Sequence, residues 1–315
     1  MRKRSLDMVH TLAKRDERVV FIGSDLSPGL LGGMKKEFPS RYYMEGIAEA
    51  NVIGMAAGMA MDGYIPYVNT IATFITRRCY EQVAIDLCLH DLPVRLIGNG
   101  GGYVYAPLGP THEAIEDIAI MRALPRMTVT AVCDAEEMSR LMEATLDWPH
   151  PIYIRLGKGG DPVISKPERG FAIGKAIDMI DGQTGDSDVL LIGTGVATTQ
   201  ALKAAEALAA EGVRCRLLHV HTVKPLDVEA IVGAAGRTGL IVTVEEHSVV
   251  GGLGSAVLEA LADNLSVPMP PVKRLGIPDR FAEHYGSQQK LMEHFGFDAR
   301  SIAETVRAAR ARSAA

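Results

Sequence analysis

The stretch Gly46-Ile47-Ala48-Glu49-Ala50-Asn51-Val52-Ile53-Gly54-Met55-Ala56-Ala57-Gly58-Met59-Ala60 holds one ionisable side chain, Glu49, among small and apolar ones, and Ile65-Pro66-Tyr67-Val68 follows shortly after. The first segment predicts a helix over about Ile47 to Asp62 and the second a short buried strand. A helix feeding such a strand belongs to a parallel sheet, and the same alternation extends outward in both directions. Upstream lie a helix near Ser5 to Lys14 and a strand at Val19 to Ile22. Downstream come a long helix from about Phe74 to His90, a strand at Val94 to Ile97, a Gly-rich loop from Gly98 to Thr111 and a helix at Glu113 to Leu124. Strand Met127 to Val132, a helix capped by Asp134 and running to about Leu146, and strand Ile152 to Leu156 complete the set. The rhythm is βαβ.

Between Gly157 and Ser187 the composition shifts to repeated Gly, Pro, Lys and Asp, with one strand expected around Phe171 to Ile177. The alternation then resumes: strand Val189 to Ile192, helix Ala197 to Ala210, strand Cys215 to Val220, a helix after Pro225, strand Leu240 to Val244, a helix after the Gly251-Gly252-Leu253-Gly254 turn, a strand near Val272 to Leu275, and terminal helices. The expected fold class is α/β with two doubly wound domains, a mostly parallel sheet in the first and a smaller mixed sheet in the second. We place the first domain at 1–165, a linker with a possible strand at 166–187, and the second domain at 188–315.

At 315 residues the chain is about twice the length of an average domain. Its net charge of −5, without blocks of like charge, argues against a nucleic-acid partner. The four cysteines, Cys79, Cys88, Cys133 and Cys215, form no C-x-x-C pair and read as core residues in a reducing compartment. The basic Met1-Arg2-Lys3-Arg4 start is followed by amphipathic sequence, and the longest run without a polar side chain, Val52 to Met61, is well short of the roughly 20 residues that span a bilayer. A cytoplasmic protein with no membrane partner is expected.

Gly193-Thr194-Gly195 follows a strand, but Thr198 stands where a dinucleotide fingerprint needs its third glycine, so a plain βα turn is the better reading. His219-Val220-His221 puts two rings on one strand face without a third ligand in sight, which favours structural histidines over metal. Glu49 admits two readings of equal weight. Either it complements the positive end of its helix, or it is a desolvated carboxyl that shares a proton with a bound heterocycle.

The Gly46-Ile47-Ala48-Glu49 run resembles the signature of the pyrimidine-binding domain of thiamine diphosphate enzymes of the transketolase family, and further motifs follow in the family's order. They are Thr73-Phe74 with Arg78-Cys79-Tyr80-Glu81-Gln82, Gly109-Pro110-Thr111-His112 with Asp117-Ile118-Ala119, and Ile154-Arg155. Lys224-Pro225-Leu226-Asp227, Val244-Glu245-Glu246 before the glycine turn, and Gly276-Ile277-Pro278-Asp279 resemble the family's C-terminal domain. The resemblance implies that Glu49 protonates the pyrimidine of thiamine diphosphate and so activates it. It places Phe74 on the pyrimidine, or Ile75 on a gap-free match to some relatives, with Arg78 near the same ring and Asp25 among the cofactor contacts. His112 would hydrogen-bond substrate oxygens or move protons between carbons.

The Gly-Asp-Gly motif with which the family holds Mg²⁺ and diphosphate does not occur in this sequence. The resemblance therefore implies a C-terminal subunit whose diphosphate-binding N-terminal partner supplies most of the Mg²⁺ and diphosphate contacts, with no metal ligand on this chain. A homodimer core within a heterotetramer is the expected assembly. The implied reaction transfers a two-carbon ketol unit from a ketose to an aldose, with small sugar phosphates as substrates. Two alternatives stay open: a 2-oxo acid dehydrogenase beta chain or 1-deoxyxylulose-5-phosphate synthase-like enzyme, and a non-catalytic assembly subunit.

Three departures bear on substrate. Leu108 stands where ordinary transketolases carry an acidic residue that recognises a sugar hydroxyl. Asn99-Gly100-Gly101-Gly102-Tyr103 has no histidine where many relatives grip the donor's phosphate, and is expected to offer backbone N–H groups instead. Arg155 and Lys158 remain as expected anion anchors.

Overall fold

The computed structural model describes residues 1–24, 29–180, 185–264, 267–283 and 285–313. Twelve strands occur among them: β1 Val19–Gly23, β2 Tyr42–Met44, β3 Ile65–Ile71, β4 Arg95–Asn99, β5 Thr128–Ala131, β6 Ile152–Leu156, β7 Ile177–Asp178, β8 Val189–Gly193, β9 Cys215–His219, β10 Thr222–Lys224, β11 Ile241–Ser248 and β12 Val272–Ile277. They form a seven-stranded sheet in the order β10-β5-β6-β4-β3-β1-β2 and a five-stranded one in the order β12-β11-β8-β9-β7. Every pairing is parallel except β10 with β5 and β7 with β9. The expected α/β class, with a mostly parallel first sheet and a smaller mixed second one, is what the structure shows.

Val, Ile and Leu runs buried on both faces make the central strands, as parallel sheets covered by helices require. The helix Arg2–Arg15 buries Leu6, Val9, Leu12 and Ala13 on one face, the stripe expected of a surface helix. It packs against the helix Ala135–Thr145, which Asp134 caps by accepting from the N–H groups of Glu136 and Glu137 at 2.9 Å each. Such a cap contributes about 1 kcal/mol. In the second layer Ala201, Ala204, Ala205 and Leu208 of the helix Ala197–Ala209 meet Ile302, Ala303 and Val306 of the C-terminal helix.

Several elements differ from expectation. The long helix from Phe74 to His90 is broken: a short helix Ala72–Thr76 ends where Cys79 adopts φ −128°, ψ 26°. Thr76 Oγ1 and Cys79 Sγ bond back to the carbonyls of Ala72 and Ile75, at 2.8 and 3.1 Å, and Val83–Leu89 is wound as a π-helix. The helix expected from Glu113 begins only at Asp117, because Ala114 pairs with Gly102 in both directions, at 2.8 and 3.2 Å. The strand expected over Phe171 to Ile177 shrinks to β7: Gly174 sits at φ +84° in a turn, and Phe171 stacks on His221 with ring centroids 4.3 Å apart. Strands β2 and β10, three residues each, and the helix Gly32–Glu37 add to the expected elements.

The carboxyl ends of β1, β3, β4 and β6 share one edge of the first sheet, where open α/β sheets form their crevices. The second sheet packs near that edge through Ser248 N–H to the Ile115 carbonyl at 2.7 Å and Gly195 N–H to the Ala131 carbonyl at 2.9 Å.

Candidate functional site

Glu49 is the first residue of the helix Glu49–Met61, and no side chain caps that helix. Its carboxyl is 3% exposed and lies in the field of the helix's unsatisfied N–H groups. Arg78, brought back by the break after Thr76, donates from Nη1 to Glu49 Oε2 at 3.0 Å. No other hydrogen bond to this carboxylate occurs among the described residues. The Arg78 guanidinium lies 4.0 Å from the centroid of the Phe74 ring, and Phe74 meets His112 edge-on at 5.3 Å and 68°. Thr73 Oγ1 donates to the His112 carbonyl at 3.1 Å, and His112 Nδ1 lies 2.9 Å from Thr111 Oγ1. Glu49, Arg78, Phe74 and His112 thus form one line of contacts drawn from three separate segments.

Phe74 is half-buried in this line, whereas Ile75 is fully buried in the core, so Phe74 is the residue of the pair that presents a ring to the crevice. Burial pushes the neighbouring Cys79 thiol up to about 12, with Glu49 adding to the shift. It is an inert core cysteine. Asp25 lies outside the described residues.

Two expectations about anions do not survive. Arg155 is buried, and two of its three guanidinium nitrogens are engaged inside the protein: Nε donates to Asp117 Oδ2 at 2.7 Å, and Nη2 donates to Asp117 Oδ1 at 3.2 Å, to the Ala114 carbonyl at 3.0 Å and to the Glu246 carbonyl at 2.8 Å. Burial pushes the Asp117 carboxyl up, but Arg155, with His247 and the Tyr153 hydrogen bond adding to its pull, holds the carboxyl below the usual range. Arg155 is a buried brace between the His112 segment and β11.

The glycine loop is equally committed. Gly100 and Gly101 donate to the Leu156 carbonyl at 3.1 and 3.0 Å, Gly102 to Ala114, and Tyr103 N–H to Glu246 Oε1 at 2.8 Å. Asn99 Nδ2 is shared between Asn69 Oδ1 and the Thr70 carbonyl. A methyl group placed at Gly102 would meet the Glu246 carboxyl carbon at 2.5 Å, so the loop is filled from behind instead of open to a ligand. Lys158 is exposed on the loop after β6, and Leu108 is 52% exposed beside the Gly109 turn.

Behind this loop lie two carboxyls that sequence reasoning missed. Burial pushes Glu246 up to about 7 against the pull of Arg155, and Gln288 Nε2 donates to both its oxygens at 2.8 and 3.0 Å. Glu113 is 1% exposed, neither of its oxygens is hydrogen-bonded among the described residues, and burial pushes it up to about 7. A Glu directly after His112 was visible in the sequence, but its burial was not. Because an unfolded glutamate titrates near about 4.3, the folded protein keeps a proton on Glu113 that the unfolded chain has lost. Stability from this residue therefore falls as pH rises from there to about 7, and the full penalty stands above it. Glu113→Gln is expected to raise stability at pH 8 by roughly 1–3 kcal/mol and to change it little at pH 4. Urea unfolding at both pH values measures the difference, and equal effects would exclude titration as the cause.

His219 and His221 are both fully buried. His219 Nε2 meets Glu137 Oε2 at 2.8 Å and Nδ1 meets Thr198 Oγ1 at 2.7 Å, while Cys133 N–H donates to the same Glu137 oxygen at 2.7 Å. Potential ligand atoms of Cys133, Glu137 and His219 lie within 4.8 Å of one another, yet both ring nitrogens of His219 are already partnered. Burial raises the Glu137 carboxyl, His219 more than offsets this, and the result is about 2. The group reads as a buried tie between the two sheets.

The site's chemistry is therefore one-sided. A buried carboxylate, an aromatic plate and an imidazole suit a flat, protonatable heterocycle and a carbonyl substrate.

The family model for the transketolase pyrimidine binding domain matches residues 1–160, and that for the transketolase C-terminal domain matches residues 180–302. The chain is 37% identical over 307 residues to one of the subunits of the apulose-4-phosphate transketolase of Phocaeicola vulgatus, covering 97% of this chain and 96% of that one. It is also 37% identical over 310 residues to the 6-deoxy-6-sulfo-D-fructose transketolase subunit SqwH of a Clostridium species, covering 98% and 93%. Against 1-deoxy-D-xylulose-5-phosphate synthase 1 of Geobacter sulfurreducens it is 40% identical over 306 residues, but these make up only 47% of that protein. Among solved structures, a split gene transketolase, an inactive beta4 tetramer, superposes with TM-score 0.88 at 35% identity, covering 98% of this chain and 97% of that one.

Proposed function

The chain belongs to the transketolase family, and from that premise we propose that it is the half of a split enzyme that presents the pyrimidine side of the site. Family membership implies dependence on thiamine diphosphate. When bound, the cofactor supplies a carbon nucleophile that takes a two-carbon ketol unit from a ketose and passes it to an aldose. The observation that carries the reading is the line Glu49–Arg78–Phe74–His112, whose three segments only the fold and the break after Thr76 bring together.

Each member has a task in this reading. Glu49, buried and held by Arg78 through one oxygen, shares a proton with the pyrimidine ring nitrogen. Phe74 gives the ring an apolar plate. His112 has Nδ1 engaged by Thr111, which leaves Nε2 to hydrogen-bond a substrate oxygen or move a proton at carbon. With Arg155 and the glycine-loop amides committed internally, the diphosphate and its Mg²⁺ fall to a diphosphate-binding partner subunit. We assign residues 1–165 to the pyrimidine side, 166–187 to a linker and 188–315 to the C-terminal unit, within a heterotetramer built on a homodimer of this chain. Among the described residues no helix is long and apolar enough to cross a membrane, and we place the enzyme in the cytoplasm.

Leu108 bears on the donor. An apolar side chain, half-exposed beside the His112 turn, cannot accept a hydrogen bond from a sugar hydroxyl. Sites that use such a bond discriminate far more strongly than apolar ones. The preferred donor therefore differs from common pentose phosphates in branching, deoxygenation or its terminal group.

Reconstitution tests the proposal. The purified chain is expected to bind thiamine diphosphate weakly by calorimetry and to transfer no ketol units, and addition of the chain carrying Gly-Asp-Gly restores transfer. Micromolar binding and turnover by this chain alone would overturn the split-site reading. Release of carbon dioxide from 2-oxo acids in place of ketol transfer would move the assignment to the 2-oxo acid dehydrogenase class.

A further inference from the structure

Tyr285 stands on the segment that joins β12 to the helix Gln288–Phe295, in the half of the chain that the preceding reading leaves without a role in the site. Its side chain is not folded onto its own half. A methyl group placed at Gly109 would lie 2.6 Å from Tyr285 Cε1, 3.0 Å from Cζ and 3.1 Å from Oη, so the ring lies flush on the Gly109 backbone. Gly109 adopts φ +77°, a conformation that favours glycine, and its carbonyl accepts from the His112 N–H at 3.0 Å. Tyr285 thus covers the turn that sets His112. Leu108 adjoins Gly109 in the chain, and the side chains of Tyr285 and Leu108 are 72% and 52% exposed.

The segment is held in place. Ser287 caps the helix by accepting from Lys290 N–H at 3.3 Å, and Gln288 Nε2 donates to both oxygens of Glu246. Glu246 in turn fixes Tyr103 N–H behind the glycine loop. Tyr285 is therefore three residues from an anchor that belongs to the floor of the site. An aromatic ring on the Gly109 backbone and a leucine at the residue before it give the turn that bears the imidazole two large apolar groups.

We propose that Tyr285 is a specificity-determining residue, which with Leu108 receives the part of the donor beyond the transferred ketol unit. The substrate class this selects is a ketose whose distal chain presents C–H bonds or a deoxygenated carbon to these two groups, with the phenol Oη able to make one hydrogen bond. A hydroxyl that requires an acceptor finds none in Leu108 and at most the one Oη of Tyr285, and an anion that requires a cation finds none in either side chain. The inference rests on the ketol-transfer reading, and the following experiment separates the two.

The reconstituted complex is assayed with hydroxypyruvate, a ketol donor without a sugar chain, and with paired ketoses that differ only by a hydroxyl or deoxy carbon beyond the ketol unit. Wild-type complex that turns over none of these donors would refute ketol transfer itself. In the working complex, Tyr285→Ala is expected to lower the ratio of kcat/KM for the deoxy ketose to that for hydroxypyruvate about tenfold. Tyr285→Phe is expected to keep that ratio within about threefold, because the ring is retained. A Tyr285→Ala complex with an unaltered ratio would overturn the proposal, whether the absolute rates stayed the same or fell together. Leu108→Asp provides an independent arm: it is expected to move preference toward the hydroxylated member of each pair, and an unchanged preference would remove Leu108 from the proposal.

Discussion

Replacing Glu49 by glutamine is expected to lower ketol transfer by the reconstituted complex roughly 10²- to 10⁴-fold, the range of a lost general acid or base, while the fold stays intact. The two expectations separate because the substitution is nearly isosteric. What the structure loses is a pairing with Arg78, whose side chain is 46% exposed, and a charge at a helix N-terminus. Such terms contribute about 1 kcal/mol or less each. Steady-state kinetics with saturating cofactor, beside urea unfolding of both proteins, measures each part. A variant with wild-type turnover would leave Glu49 as a helix-end residue and remove the basis for placing the cofactor's ring beside it.

Arg155→Met is expected to act on stability instead. Removing the guanidinium leaves Asp117 buried and ionised, together with Ala114 and Glu246 carbonyls that lose a donor. Breaking a buried pair in this way costs about 3–5 kcal/mol. Pairing the change with Asp117→Leu should recover much of the loss, since two apolar side chains leave no uncompensated charge. Tyr153 Oη would lose its 2.6 Å acceptor in that double variant, so recovery should be incomplete. Urea midpoints report the result. A loss below about 1 kcal/mol accompanied by a raised KM for phosphorylated donors would return Arg155 to the role of anion anchor.

The contrast between these residues shows what the sequence could and could not convey. Glu49 was legible because a charge in an otherwise apolar run is a local anomaly. Strand β8 was legible because its apolar run, Val189 to Ile192, is continuous. Arg155 was visible as a residue but not in its state, since its partner Asp117 lies 38 positions away. The glycine loop misled for the same reason: its amides are taken by Leu156, Ala114 and Glu246, the last 143 positions from Tyr103. The interrupted helix after Ile71 was missed because threonine and cysteine side chains can serve a helix or end one, and tertiary contacts decide which. Tyr285 carried no periodic or spacing signal at all, and only the fold brings it to Gly109.

Strand β10 gives the molecule a property that neither sheet has alone. It lies beyond β9 in the chain, yet it pairs antiparallel with β5 at the border of the first sheet. An uncovered strand border offers its amides and carbonyls to any passing chain; here the β5 border is covered by residues made later in synthesis, and the three-residue β10 becomes the sheet's end. A ribosome that has released only the residues up to Ser187 therefore carries a sheet still open to strangers, and closure waits for Thr222–Lys224 to emerge. The two halves are separable as text but not as objects: the sheet of the first is complete only once Thr222–Lys224 of the second has been made.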